Sequence, residues 1–254
     1  MPPISILSLS TGPYIFISSH ERDDFKVTDP CKKLEFDLSK PLEIEVGCGS
    51  GGFLTRRAAA NPDCEFLGIE RMLGRVRSFA HKCQKAHLSN IAVLRLEALY
   101  TFHYLLPEHH ARKVYVFFPD PWPKKKHHSH RLFGPLFLAA LWKRLEIGGR
   151  IEFATDHREY FETVEECFLG NEKFRRVEPM ARPEEVWTEF ERDFRAKGMP
   201  IYSAAWEALA GDDKALEPLK IPPEAEPREG VKRRYIAFDI AESQEAENIS
   251  KGEC

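Results

Sequence analysis

The chain has 254 residues, 43% of them hydrophobic and 30% charged, enough to bury one sizeable α/β core and not clearly two. Its formal net charge of −3 excludes a protein that coats nucleic acid indiscriminately, so any RNA contact must come from a local basic patch. Six scattered cysteines (Cys31, Cys48, Cys64, Cys83, Cys167 and Cys254) form no C-x-x-C pair, which argues against a zinc knuckle or redox dithiol and for a reduced cytoplasmic protein.

The N-terminus through Ile17 has no basic start, and Pro, Ser and Gly interrupt it short of a membrane span. Residues 1–39 read as a partly irregular extension, 40–241 as the main domain and 242–254 as a disordered tail. From Pro41 to Asp156, short β-branched and aromatic runs alternate with helix-like segments, the pattern of βαβ units on a parallel sheet. Leu42–Val46 is the first expected strand, followed by a helix at Gly52–Ala60 that Asn61-Pro62 stops. A strand at Glu65–Ile69, a helix at Arg75–Ala86 and a strand at Ile91–Leu96 come next. Val114–Phe118 is apolar throughout, as a central parallel strand should be. Phe137–Leu145 reads as a helix broken by Gly148-Gly149, Ile151–Ala154 as a strand and Phe161–Phe168 as a helix. The final strand is either the run near Ile201 or Arg234–Ile240, and 211–230, rich in Pro, Glu and Lys, reads as a loop insertion. The expected fold is α/β and Rossmann-like, a mostly parallel twisted sheet with helices on both faces.

Ile44-Glu45-Val46-Gly47-Cys48-Gly49-Ser50-Gly51-Gly52 joins the first strand to the first helix, where glycines permit a tight turn and close backbone approach to a nucleotide. Two patterns overlap there. Gly47, Gly49 and Gly52 satisfy the dinucleotide spacing G-x-G-x-x-G, while Gly47, Gly49 and Gly51 with Glu45 ahead satisfy the methyltransferase spacing E/D-x-G-x-G-x-G. Glu70 closes the second strand, where such folds place an acid on ribose hydroxyls, and Glu97 ends the third within reach of an adenine amino group; the plainer reading of both is a solvated strand end.

Phe117-Phe118-Pro119-Asp120-Pro121-Trp122-Pro123-Lys124-Lys125-Lys126 follows the fourth strand, on the side where open α/β sheets bind ligands. Phe118, Asp120 and Trp122 each precede a proline, which predicts an extended, stiff loop presenting its carboxylate with little freedom. The segment resembles the bacterial tRNA (guanine-N7)-methyltransferases of the TrmB family, whose loop is similar to Pro119-Asp120-Pro121-Trp122-Pro123-Lys124-Lys125. Ile44-Glu45-Val46-Gly47, Gly68-Ile69-Glu70, Thr155-Asp156, Thr188-Glu189-Phe190-Glu191 and Gly198-Met199-Pro200-Ile201-Tyr202 fall in the same order as in the family. The resemblance covers roughly residues 40–206. It implies a class I S-adenosylmethionine-dependent methyltransferase with Glu45, Gly47, Gly49, Gly51, Glu70, Glu97 and Asp120 on the cofactor. It also implies Asp120 as the catalytic residue and Lys124, Asp156, Thr188, Glu189, Phe190 and Glu191 on the substrate. The product it implies is 7-methylguanosine at tRNA variable-loop position 46; a monomer or homodimer with no membrane contact is expected.

The basic run from Lys124 to Arg131 concentrates charge beside Asp120, and Lys125, Lys126 and Arg131 are expected to contact RNA phosphates rather than form a merely solvated surface. His127, His128 and His130 have no acid or cysteine nearby to complete a ligand set, so no metal is expected. Trp122 suits either stacking on a base or packing under the loop. The competing functions are methyl transfer to another RNA, a small molecule or a protein, a nicotinamide dehydrogenase, and a non-catalytic RNA-binding subunit.

Overall fold

The computed structural model describes residues 39–217 and 219. The expected N-terminal extension, the Arg234–Ile240 run, the C-terminal tail and most of 211–230 lie outside the described residues. Seven strands form one sheet in the order β3-β2-β1-β4-β5-β7-β6. They are β1 (Leu42–Val46), β2 (Glu65–Ile69), β3 (Ile91–Leu94), β4 (Ala111–Phe117), β5 (Leu145–Thr155), β6 (Phe174–Val177) and β7 (Tyr202–Ala208). β1 to β5 pair in parallel, whereas β7 runs antiparallel between β5 and β6. Of the two candidates for the last strand, the run following Ile201 takes the place in the sheet.

The helices are α1 (Gly52–Ala60), α2 (Leu73–Lys85), α3 (Ala98–Tyr100) continuing as a wide turn over Thr101–Leu105, α4 (Pro135–Arg144), α5 (Arg158–Phe168) and α6 (Glu189–Ala196). Strand side chains alternate between two apolar layers. Ile44, Val46, Val114, Val116, Ile151 and Phe153 pack under α4, α5 and the Ala98–Leu105 turn. Tyr115, Phe117 and Ala154 pack instead with Phe53 of α1 and Val76, Phe79 and Cys83 of α2.

Two local features depart from the sequence expectation. α4 ends at Arg144, and Gly148-Gly149 shift the strand register instead of ending the helix: Ala111 pairs with Leu145 but Lys113 with Arg150. Gly148 takes φ 83°, and a Cβ on Gly149 would lie 2.8 Å from the Glu146 carbonyl and 2.9 Å from that of Ala111, so the excursion needs both glycines. The second feature is Glu43, a fully buried acid in β1. It accepts from Arg57 at 2.7 and 3.2 Å, from Arg112 at 2.6 Å and from the Tyr115 hydroxyl at 2.7 Å. Burial alone would raise its pKa, but these donors hold it below the usual carboxylate range. β1 and β4 are joined there by a paired charge, at the sheet end remote from the glycine turn.

Candidate active site

β1 enters its turn with three glycines in the left-handed region, Gly47 at φ 72°, Gly49 at 56° and Gly51 at 75°. A Cβ on Gly51 would lie 2.1 Å from the Phe79 ring, so α2 packing demands a glycine, whereas Cβ atoms on Gly47 or Gly49 would meet nothing within 4 Å. Those two leave an open cradle. A Cβ on Gly52, which begins α1, would make only ordinary contacts at 3.6 Å, so the close packing required of the third glycine falls on Gly51. The methyltransferase spacing therefore describes this turn and the dinucleotide spacing does not.

Glu45 lies beneath the turn with Oε2 buried and without a hydrogen-bond partner among the described residues. Burial, reinforced by Glu70 and only partly opposed by Arg56, raises its pKa to about 8. Glu70 accepts the amides of Gly49 at 3.1 Å and of Arg71 and Met72 at 2.8 Å each, with Arg75 3.8 Å away. One carboxylate thus ties the glycine turn to the start of α2 and keeps acceptor capacity to spare. Glu97, three residues beyond β3, which stops at Leu94 and not at the expected Leu96, is exposed and caps α3 through the Tyr100 amide at 2.8 Å.

The proline loop leaves β4 through Phe118, whose amide donates to Ala154 at 2.7 Å. Phe118 (φ 53°) and Trp122 (φ 44°) adopt left-handed conformations that a bulky residue before proline rarely takes. The loop is not helical, yet at these two residues it is turned and strained instead of extended. Asp120 is exposed, with Oδ1 accepting from the Trp122 amide at 3.2 Å. Asp156, just beyond β5, stands at the same end of the sheet and is half-buried. Trp122 packs near His130 and His127, with ring centroids 5.0 and 5.7 Å apart. Lys124, Lys125 and Lys126 are exposed, the last two on a 3-10 turn, Lys125–His130. No cluster of three metal-ligating side chains occurs among the described residues.

Arg131 corrects the sequence reading. Its side chain is only 4% exposed, donating to the Pro121 carbonyl at 2.9 Å, Thr163 at 3.3 Å and Glu159 at 3.1 Å, and lying 5.0 Å over the Tyr160 ring. A guanidinium so committed braces the Asp120 loop against α5 and is not available to a phosphate. Among the described residues, no other side chain outside the loop bonds its backbone between Phe118 and Pro123.

The segment after β6 crosses the mouth of the site. Thr188 caps α6 through the Glu191 amide at 3.0 Å, and Glu191 is fully buried between Arg195 at 3.0 Å and Arg182 at 3.5 Å. Glu189 accepts from Ser50 of the glycine turn at 2.9 Å and from Lys82 at 3.0 Å. Phe190 is 43% exposed, with Arg75 over its ring at 5.7 Å. Of the four residues of this segment expected on the substrate, Thr188 and Glu191 shape α6, Glu189 fastens it to the turn and Phe190 is open. Ser50, Lys82 and Arg182 carried no sequence signal, because their partners are far away along the chain.

A family model described as "Putative methyltransferase" matches residues 39–204. A tRNA (guanine-N(7)-)-methyltransferase of Chromohalobacter salexigens is 34% identical over 181 residues, which are 68% of this chain and 72% of that protein. The chain belongs to this methyltransferase family. Its relative from Aquifex aeolicus is 32% identical over 161 residues, 63% of this chain, and the chain spans about half of that protein's length (54%). Among solved structures, the 16S rRNA methyltransferase KamB superposes with a TM-score of 0.52 at 14% identity, over 67% of this chain and 89% of that one, a likeness of fold. The lining of the turn fits S-adenosylmethionine: Gly47 and Gly49 leave room for close approach, Glu45 offers a buried carboxyl oxygen without a partner among the described residues, and Glu70 and Glu97 suit the nucleoside.

Proposed function

We propose that the protein methylates guanine N7 in tRNA, at the variable-loop guanosine numbered 46, and acts in the cytoplasm. The observation that carries this reading is Asp120, exposed on a strained and braced loop at the same end of the sheet as the open glycine cradle. The 72% coverage of the Chromohalobacter salexigens relative supports it.

S-adenosylmethionine supplies an electrophilic methyl on a sulfonium, which leaves as the neutral thioether. Guanine N7 carries an in-plane lone pair and no proton, so no general base is needed and alignment dominates. Asp120 orients the base through its N1/N2 edge and offsets the positive charge that develops on the alkylated ring. Asp156 holds the same base or a neighbouring ribose, and Phe190 borders the entry. Lys124 faces the substrate, and Lys125 and Lys126 position its phosphates.

The test is incubation of the full chain with unmodified tRNA and labelled methyl donor, followed by mapping of the product. The expected result is 7-methylguanosine at one variable-loop position. Label confined to another base, or none in tRNA, refutes the reading.

A further inference from the structure

From Arg71 to Leu96 the chain contains no acidic residue, although 40 of its 254 residues are Asp or Glu and a stretch of that length would on average hold about four. The same stretch holds Arg71, Arg75, Arg77, Lys82, Lys85 and Arg95. In a protein of net charge −3 this is a local reversal of sign. Most of it is α2, which buries Val76, Phe79, Ala80 and Cys83 and so turns Arg77, His81 and Lys85, four residues apart, along its outer face. All three are exposed, and among the described residues none has an ion-pair partner. The other edge of α2 is engaged with the site, Arg75 with Glu70 and Phe190, Lys82 with Ser50 and Glu189.

The site-facing edge of α2, next to the outer stripe, joins the active-site mouth. Ring contacts run from Phe118 beside Asp120 to Phe194 (5.4 Å), from Phe194 to Phe190 (6.2 Å) and on to Arg75 of α2 (5.7 Å). Cationic surface therefore flanks the site on two elements, the Lys124–Lys126 run on one and α2 on the other. Gly74, Ser78 and Gln84 share the exposed face of α2 with the stripe. Such a face lacks the apolar centre of a protein interface and suits a polyanion.

We propose that Arg77, His81 and Lys85 form a second phosphate-contact surface for tRNA, engaging backbone away from the methylated guanine. This rests on the tRNA reading above. Arg77 and Lys85 stand about 12 Å apart along the helix, at 1.5 Å per residue, and so reach different phosphates. The methyl-donor site is untouched by either.

The test compares the full chain with its Arg77→Gln/Lys85→Gln variant, measuring binding across a salt series to whole unmodified tRNA and to a short hairpin carrying only the variable-loop guanosine. For whole tRNA the dissociation constant should rise about tenfold or more, and the log–log salt slope should fall by about 1.4–1.8, for two lost contacts. Hairpin affinity and S-adenosylhomocysteine affinity should stay within twofold, and Arg77→Lys/Lys85→Arg should retain wild-type tRNA binding. Unchanged affinity and slope for whole tRNA overturn the proposal, as does an equal loss on the hairpin, which would place the stripe at the target base. Wild-type methylation of tRNA without an effect of the variant refutes this surface alone. Failure of the wild type to bind or methylate tRNA refutes the functional reading and this surface with it.

Discussion

Asp120 and Glu70 are carboxylates of the candidate site with different surroundings. Asp120 is exposed and, among the described residues, bonded only to its own loop, so its removal costs little structure. Asp120→Ala should lower methyl transfer by about 10²–10³, the range for losing an electrostatic group aimed at developing charge, while S-adenosylhomocysteine binding stays near wild type. Turnover within a fewfold of wild type by a radiolabel assay would remove Asp120 from the reaction. Glu70 is buried and accepts three amides from two elements. Glu70→Ala should weaken S-adenosylhomocysteine by about 1–3 kcal/mol, measured by calorimetry, and also lower the thermal midpoint, since those amides lose their acceptor. Unchanged affinity with a lowered midpoint would leave Glu70 a purely structural role.

At the scale of elements, the Asp120 loop and α6 are both held by charges that are remote in sequence. Phe118 and Trp122 store backbone strain that the chain keeps only because neighbours brace it, and Arg131 is the brace. Lysine retains the charge but cannot reach Pro121, Thr163 and Glu159 together. Arg131→Lys should therefore reduce the turnover number about tenfold, with the salt slope of tRNA binding unchanged. A reduced slope with normal turnover would restore Arg131 to the phosphate-binding set. Element identity was largely legible: β1, α1 and β2 fall where the periodicity and the Asn61-Pro62 stop put them. α6 was not legible as a helix, although Thr188-x-x-Glu191 has capping-box spacing. Only Thr188 caps, because Glu191 is drawn into the buried pairs with Arg182 and Arg195. The early end of α4 was equally hidden, since Leu145 is apolar and continues the helical pattern while the β4 edge recruits it into the sheet.

Across the whole molecule, buried acids set how stability depends on pH. Glu45 has a folded pKa raised from 4.5 to about 8, so the folded state binds its proton more tightly than the unfolded chain does. Its contribution is complete below pH 4.5 and is lost as pH rises toward 8. Glu152, also raised by burial, acts in the same direction, whereas Glu43, held below its usual range, withdraws stability only as pH falls through its folded pKa. The ligand-free protein should thus lose thermal midpoint between pH 5 and 8, and Glu45→Gln should flatten that slope without abolishing it. Identical slopes in a denaturation series would show that Glu45 is ionised in the folded state.

The sequence by itself determined the sheet's parallel half, the glycine turn with Glu45 and Glu70, and the proline loop with Asp120. Each is assembled from local patterns of strand period, turn chemistry or proline restriction, every one of them readable from a short run of consecutive residues. Tertiary structure decided which glycine is third, because the Phe79 ring leaves a Cβ no room at Gly51 and ample room at Gly52. It also decided that Arg131 braces a loop, that Glu189 fastens α6 to the glycine turn and that Arg77, His81 and Lys85 face outward together. Those outcomes depend on partners brought up by chain segments far away, and an arginine or a glutamate carries no local mark of whether it will meet a carbonyl, a buried acid or open water.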